Sequence, residues 1–321
     1  MRVRLLQITG VDLNIFDFDH DLTWAGFFMN ADGLVYGRFG GRDAKGADTK
    51  NSLLGLRFAM EKALESHRLH SREKPAPAAP TFVENYPSVR KVVRNGCIHC
   101  HQVKEIRRQE DKDAGTWKRE SVWVYPLPEN VGISLDPDRG NLVRAVLADS
   151  PAERAGLAAG DSIQTLNGRT VYSFADLQYA LHYAPIEGDV AISWTRGGQA
   201  RSAHLQLAPG WRKTNLTWRP SMLDLLPSLT VFGYDMTAKE KEALGLGEKQ
   251  LAFRQVAPVH SEAQAIGVRE GDIILGVDNL KMEMNVAKFL GYVRQNYLVG
   301  DRVTLNVLRD GKKVDLPTKL R

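Results

Sequence analysis

Two stretches of this 321-residue chain repeat each other, and the repeat limits the fold more than any other feature. The first reads SPAERAGLAAGDSIQTLNGRTV from Ser150, and the second SEAQAIGVREGDIILGVDNLKM from Ser261. Ser150 and Ser261, Gly156 and Gly267, Gly160 and Gly271, Asp161 and Asp272, and Asn167 and Asp278 keep one common spacing. Each copy reads as a short helix of small residues, a Gly-Asp turn, an apolar strand and a tight turn (Asn167-Gly168, Asp278-Asn279). A helix then follows in each, SFADLQYALHYA or NVAKFLGYVRQ, and after a second Gly-Asp turn come two strands joined by a hairpin at RGGQ or RDGK.

This order of parts resembles the PDZ domain in its bacterial form, as found in the HtrA group of proteases. The resemblance covers roughly residues 122–208 and 228–321, and it implies two PDZ-like β-barrel domains. It also implies a carboxylate-binding loop with an apolar-Gly-apolar core, matched by Val131, Gly132 and Ile133 and by Phe232, Gly233 and Tyr234. Backbone N–H groups around such a glycine can converge on a peptide's terminal carboxylate, while the next strand edge accepts the peptide as an added strand. Leu177 and Leu181 lie one turn apart on the following helix, where they line either the groove or the core. A charged insertion, TAKEKEALGLGEKQ, departs from the pattern in the second copy. The implied partners are peptide or protein C-termini.

Ahead of the repeat, TWAGFFM and LVYGRFG flank the turn NADG, a hairpin signal. NSLLGLRFAMEKALESH follows, with a cap at Asn51 or Ser52 and an expected apolar face of Leu53, Leu56, Met60, Ala63 and Leu64. Strand, hairpin, strand and helix look like the C-terminal half of a thioredoxin fold, without its Cys-x-x-Cys helix or its proline before the third core strand. In FDFDHD, Asp17, Asp19 and Asp21 alternate with Phe16 and Phe18. The pattern fits an edge strand with an acidic solvent face better than a cation site. Pro75, Pro77, Pro80 and Pro87 mark an extended linker. A second connector carries Trp211 and Trp218, expected to pack against a neighbouring domain. The reading is an α+β multidomain chain: residues 1–70 partial thioredoxin-like, 71–121 linker with a cysteine segment, 122–208 the first PDZ-like domain, 209–227 linker, and 228–321 the second.

Both cysteines sit in CIHCH. Cys97-x-x-Cys100-His101 is the attachment pattern of c-type haem, with His101 as iron ligand. Met29, Met60 and His20 are sixth-ligand candidates by chemistry alone, and His99 is a bystander that faces away from an iron bound by His101 if the segment is helical. A dithiol pair favoured by Arg94, Lys104 and His99, a zinc site and two inert thiols are the rivals. Residues 88–121 hold nine Lys/Arg against five Asp/Glu; interleaved acids and a lack of stacking aromatics argue against nucleic acid. With no apolar run of membrane-spanning length, no span is expected.

The segments FDFDHDLTWAGFFMNADGLVYGRFGGR, NGCIHCHQV and WVYPLPENVGISLD also resemble the thioredoxin-like/PDZ proteins of planctomycete-type bacteria, some of them selenoproteins. That resemblance implies a redox-active Cys or selenocysteine region upstream and a native start before Met1. Location is then periplasmic or otherwise extracytoplasmic; if Met1 is the true start, it is cytoplasmic. No Gly-x-Ser-x-Gly, His-Glu-x-x-His or phosphate-cradling loop occurs. The leading expectation is an extracytoplasmic redox or electron-transfer protein holding haem c beside tandem PDZ modules, its redox partner unknown. A non-enzymatic PDZ scaffold and a thiol–disulfide exchanger are the alternatives.

Overall fold

A computed structural model describes residues 1–321 apart from Pro77 and Asn95. Pro77, a linker proline, and Asn95, which opens the cysteine stretch, therefore lie outside the described residues. Two compact units result: residues 1–214 with 218–221, and residues 215–217 with 222–321.

The first unit opens with an irregular segment and then a two-stranded antiparallel sheet, β1 (Gly26–Met29) and β2 (Val35–Phe39). Helix α1 (Leu53–His70) follows, and its N-cap Ser52 accepts the Gly55 N–H through Oγ. Of the expected apolar face, Ala63 is buried, but Gly55 and Ala59 join it in place of the leucines, and Leu53, Met60 and Leu64 are exposed. The cause is close approach: a methyl group on Gly55 would stand 2.0 Å from the Pro137 carbonyl oxygen, so only the small-residue face can seat.

The proline-rich connector is extended only in part. Leu13 N donates to Thr81 O, and Val83 is fully buried with Ile8, Val11, Leu13, Val103 and Ile106. Helices α2 (Val89–Val92) and α3 (Gln102–Asp113) complete that small cluster.

The first repeat copy holds β3 (Ile133–Leu135), β4 (Val143–Val146), α4 (Pro151–Arg154), β5 (Ser162–Leu166), β6 (Arg169–Thr170), α5 (Phe174–His182), β7 (Gly188–Arg196) and β8 (Gln199–Leu207). β3 and β4 form a pair, and the other strands run β6-β5-β7-β8. Asn167 and Gly168 both take positive φ, 48° and 72°, as the tight β5–β6 turn demands. Val131, Ile133, Leu166, Leu177, Leu181 and Leu205 anchor the core.

The second unit holds β9 (Gly233–Asp235), α6 (Ala238–Ala243), β10 (Phe253–Gln255), α7 (Ser261–Ala265), β11 (Ile273–Val277), α8 (Val286–Asn296), β12 (Arg302–Arg309) and β13 (Lys312–Lys319). One sheet runs β13-β12-β11-β10-β9, leaving β9 at an edge. The charged insertion forms α6, closed by a reciprocal Thr237–Glu240 capping box.

The repeated Gly-Asp turns share one chemical device. Asp161 receives Arg196 Nε and Nη2 at 2.7 and 2.8 Å and the Ala158 N–H at 2.8 Å, while Arg196 also donates to Gly156 O. Asp272 receives Arg309 at 2.7 Å twice and the Arg269 N–H at 2.8 Å, and Arg309 donates to Gly267 O. The forked guanidinium thus ties the end of the first strand of the closing hairpin, β7 or β12, to the turn in both copies.

Candidate peptide grooves and the buried charge cluster

In the first copy, Val131 ends a 3-10 turn over Pro128–Val131 and Gly132 follows at φ +88°. The Gly132 N–H donates to Glu129 O at 3.0 Å, inside that turn. A side chain at Gly132 would strike Ser150 Oγ at 2.1 Å, so loop and repeat helix require glycine here. Val131 and Ile133 are fully buried. Leu177 and Leu181 are core residues, not lining residues of an open groove: both have no exposure and pack among Ile133, Leu166 and Leu205. Their counterparts on α8, Phe289 and Val293, are buried in the same way.

The second copy differs. Phe232 is 50% exposed and Tyr234 78% exposed, and among the described residues no strand pairs with the outer edge of β9. A methyl group on Gly233 would meet Arg254 O at 2.0 Å, which holds β9 tightly to β10. The Phe232 N–H donates to the buried Gln255 Oε1 at 3.1 Å. Asp235 Oδ1 accepts the Val286 N–H at 2.9 Å, joining the end of β9 to the start of α8. Beyond that junction lies an open cleft of about 370 Å³, lined by Asp235, Lys241, Glu248, Lys249, Glu283, Met284 and Asn285. The insertion, read from the sequence as a departure, thus builds one wall of the cleft.

FDFDHD is neither a strand nor a solvent-facing acidic edge, since Asp17, Asp19, His20 and Asp21 are all buried. Arg219, with no exposed surface, places Nη1 at 2.7 and 2.8 Å from the Asp19 oxygens and 3.1 Å from Asp21 Oδ2. Lys104 Nζ bonds Asp19 and lies 2.9 Å from Asp21 Oδ2, and Ser221 donates twice to Asp21. Burial alone would raise both carboxyls, but Arg219 and Lys104 outweigh it and hold them below the usual carboxylate range. Asp17 accepts from Tyr125 Oη at 2.8 Å and from Tyr183 Oη. Burial pushes His20 down to about 3 and His182 to about 4, so both are neutral near pH 7. The three aspartates are thus taken up within the protein, Asp19 and Asp21 by Arg219 and Lys104 and Asp17 by the two tyrosine hydroxyls.

Cys97 is exposed and Cys100 half-buried, both as free thiols. Cys100 packs against the cluster of Val83, Val103 and Ile106, and burial raises its thiol. His101 stands at the N-cap position of α3 without a side-chain cap bond, its Nδ1 2.7 Å from Glu105 Oε1. His99 precedes α3 rather than lying on a helix, and its ring stacks on His101 at 5.9 Å and 12°. Of the sixth-ligand candidates, His20 is buried in the charge cluster, Met29 is half-buried on β1 and Met60 is exposed on α1. Trp211 packs against the first core and donates to Pro185 O, whereas Trp218 faces Arg42 and Arg219.

A family model described as PDZ domain matches residues 142–196. The periplasmic serine endoprotease DegP of Salmonella typhimurium is 28% identical over 160 residues, 49% of this chain and 30% of that protein. A probable periplasmic serine protease do/HhoA-like of Haemophilus influenzae is 27% identical over 176 residues, 55% of this chain and 34% of its own. Among solved structures, the HtrA-type protease AlgW with decapeptide aligns at 18% identity and a TM-score of 0.26, covering 42% of this chain and 50% of that one. The chain spans about a third of the length of these two curated relatives. They overturn the expectation of a haem-bearing electron carrier and, with it, the thiol–disulfide alternative: both of these relatives are serine proteases. The chain carries a PDZ domain at residues 142–196 and resembles the HtrA and DegP proteases.

Proposed function

We propose that this chain supplies peptide recognition to an HtrA-type proteolytic system outside the cytoplasm, capturing extended peptides and C-termini through its PDZ units. The observation that carries the reading is the edge of β9, unpaired among the described residues, beside the exposed Phe232 and Tyr234 and next to α8. An extended peptide adds to such an edge through main-chain hydrogen bonds, and its side chains select for fit. The periplasmic relatives support the location, and no helix among the described residues is long and apolar enough to cross a membrane.

The test is fluorescence anisotropy with a labelled hexapeptide that ends in an apolar residue and a free carboxylate. The free acid should bind at least about tenfold tighter than its C-terminal amide, a difference of about 1.4 kcal/mol. Gly233→Ala, which drives a methyl group onto Arg254 O, should abolish that preference while circular dichroism keeps the wild-type strand signal. Equal binding of acid and amide, or no binding of either, refutes the reading.

A further inference from the structure

We infer that the first PDZ groove is closed in cis by residues 41–55, so that the second groove is the one open to peptide. This rests on the peptide-binding reading above. In the first copy the walls of the groove are β3 and α5, with the Gly132 loop at its head. The start of α5, the turn before Gly132 and the chain just past β3 are all engaged by the chain's own N-terminal region. Gly41 lies so close to Phe174, the first residue of α5, that a methyl group there would approach its ring to 2.5 Å. Lys50 spans from one wall toward the loop: its ammonium lies 5.3 Å from the Phe174 ring centre and bonds Glu129, three residues before Gly132. Ser52 Oγ donates to Pro137 O at 3.0 Å, just past the end of β3, and Gly55 seats against the same carbonyl. Behind α5, Arg38 N donates to Asp176 Oδ1 at 2.8 Å and Ser173 Oγ bonds Arg38 O, which fixes the helix against β2.

The chemistry at the head of the loop also opposes a carboxylate ligand. Glu129 puts a negative charge beside the loop, and the Gly132 N–H that would receive a peptide terminus is engaged by Glu129 O. Lys50 neutralises Glu129 and so secures the closed state. In the second copy, by contrast, Phe232 and Tyr234 remain exposed. One groove is therefore constitutive and the other is held shut by a Lys–Glu latch and a seated helix start.

Three variants test this, read by backbone amide NMR of the full chain titrated with the same hexapeptide acid. In wild type, amides 232–235 should shift and 131–135 should not. Lys50→Glu sets like charges against Glu129, and Gly55→Ala pushes α1 off Pro137 while favouring the helix itself. Each should bring shifts at 131–135, with apparent affinity there tighter by about tenfold, because the competent fraction rises. The double variant K50E/E129K restores the opposite-charge pair and should close the groove again. Shifts at 131–135 in wild type equal to those at 232–235 overturn the inference and leave peptide binding standing. Shifts at neither set in any protein overturn both.

Discussion

Arg219→Ala should unfold the first unit far more readily than the loss of one surface charge would. In the native fold the guanidinium makes three contacts to Asp19 and Asp21 between 2.7 and 3.1 Å, and its Nη2 reaches Val124 O and Tyr125 O at 3.2 and 3.3 Å. Without it, two buried carboxylates share one cation, Lys104, and two carbonyls lose a donor. Breaking a buried ion network from one side costs about 3–5 kcal/mol. For a unit of about 200 residues that lowers the midpoint by about 10 °C.

The pH dependence makes the test sharper. In wild type the two carboxyls are held low, so their contribution is present above the unfolded value near 3.9 and is lost as pH falls below it. In the variant, burial dominates and raises them, so protonation relieves the penalty. The gap between variant and wild type should therefore narrow between about pH 7 and about pH 4. Urea titrations followed by tryptophan fluorescence at both pH values measure it. A loss below about 1 kcal/mol near pH 7, or a gap that widens in acid, would refute the reasoning.

Other outcomes follow from the same geometry. His20 and His182, neutral in the fold, should make the first unit lose stability as pH falls from about 6.5, by up to about 1.4 kcal/mol per pH unit for each. His20→Gln should remove its share of the proton uptake, measured from urea midpoints across pH 4–6.5. On α1, Ala59→Leu should cost about 1–3 kcal/mol by overpacking, whereas Leu64→Gln should change stability by less than about 0.5 kcal/mol. Thermal melts of the two variants decide which face is the packed one.

What the sequence made legible was whatever is satisfied locally. The Gly-Asp turns, the Asn167-Gly168 hairpin and the Ser52 cap each answer a demand set within a few residues, and each forms where its residue types stand. FDFDHD was misleading because its alternation of Asp and Phe imitates an edge strand. Its true partner, Arg219, is 200 residues away, so no local pattern reveals the pairing. The packed side of α1 was hidden for a related reason. Leucines mark an apolar face by composition, but the choice was made by the Pro137 carbonyl, which admits only Gly55 and the alanines in line with it. Leu177 and Leu181 were ambiguous because a helix beside a groove must also serve a core, and periodicity cannot divide the two roles. The cysteine pentapeptide stands at the start of α3, with Cys100 against an apolar cluster drawn from distant segments, a placement its spacing does not reveal.

The position of Arg219 along the chain also bears on how the molecule is made. A ribosome produces Asp19 and Asp21 long before it reaches the arginine that neutralises them. Until that residue emerges, the growing N-terminal segment carries acids it cannot bury without a large penalty. Final closure of the first unit must therefore wait for translation to pass the connector, and a nascent chain halted short of it would stay loosely packed and open to proteases.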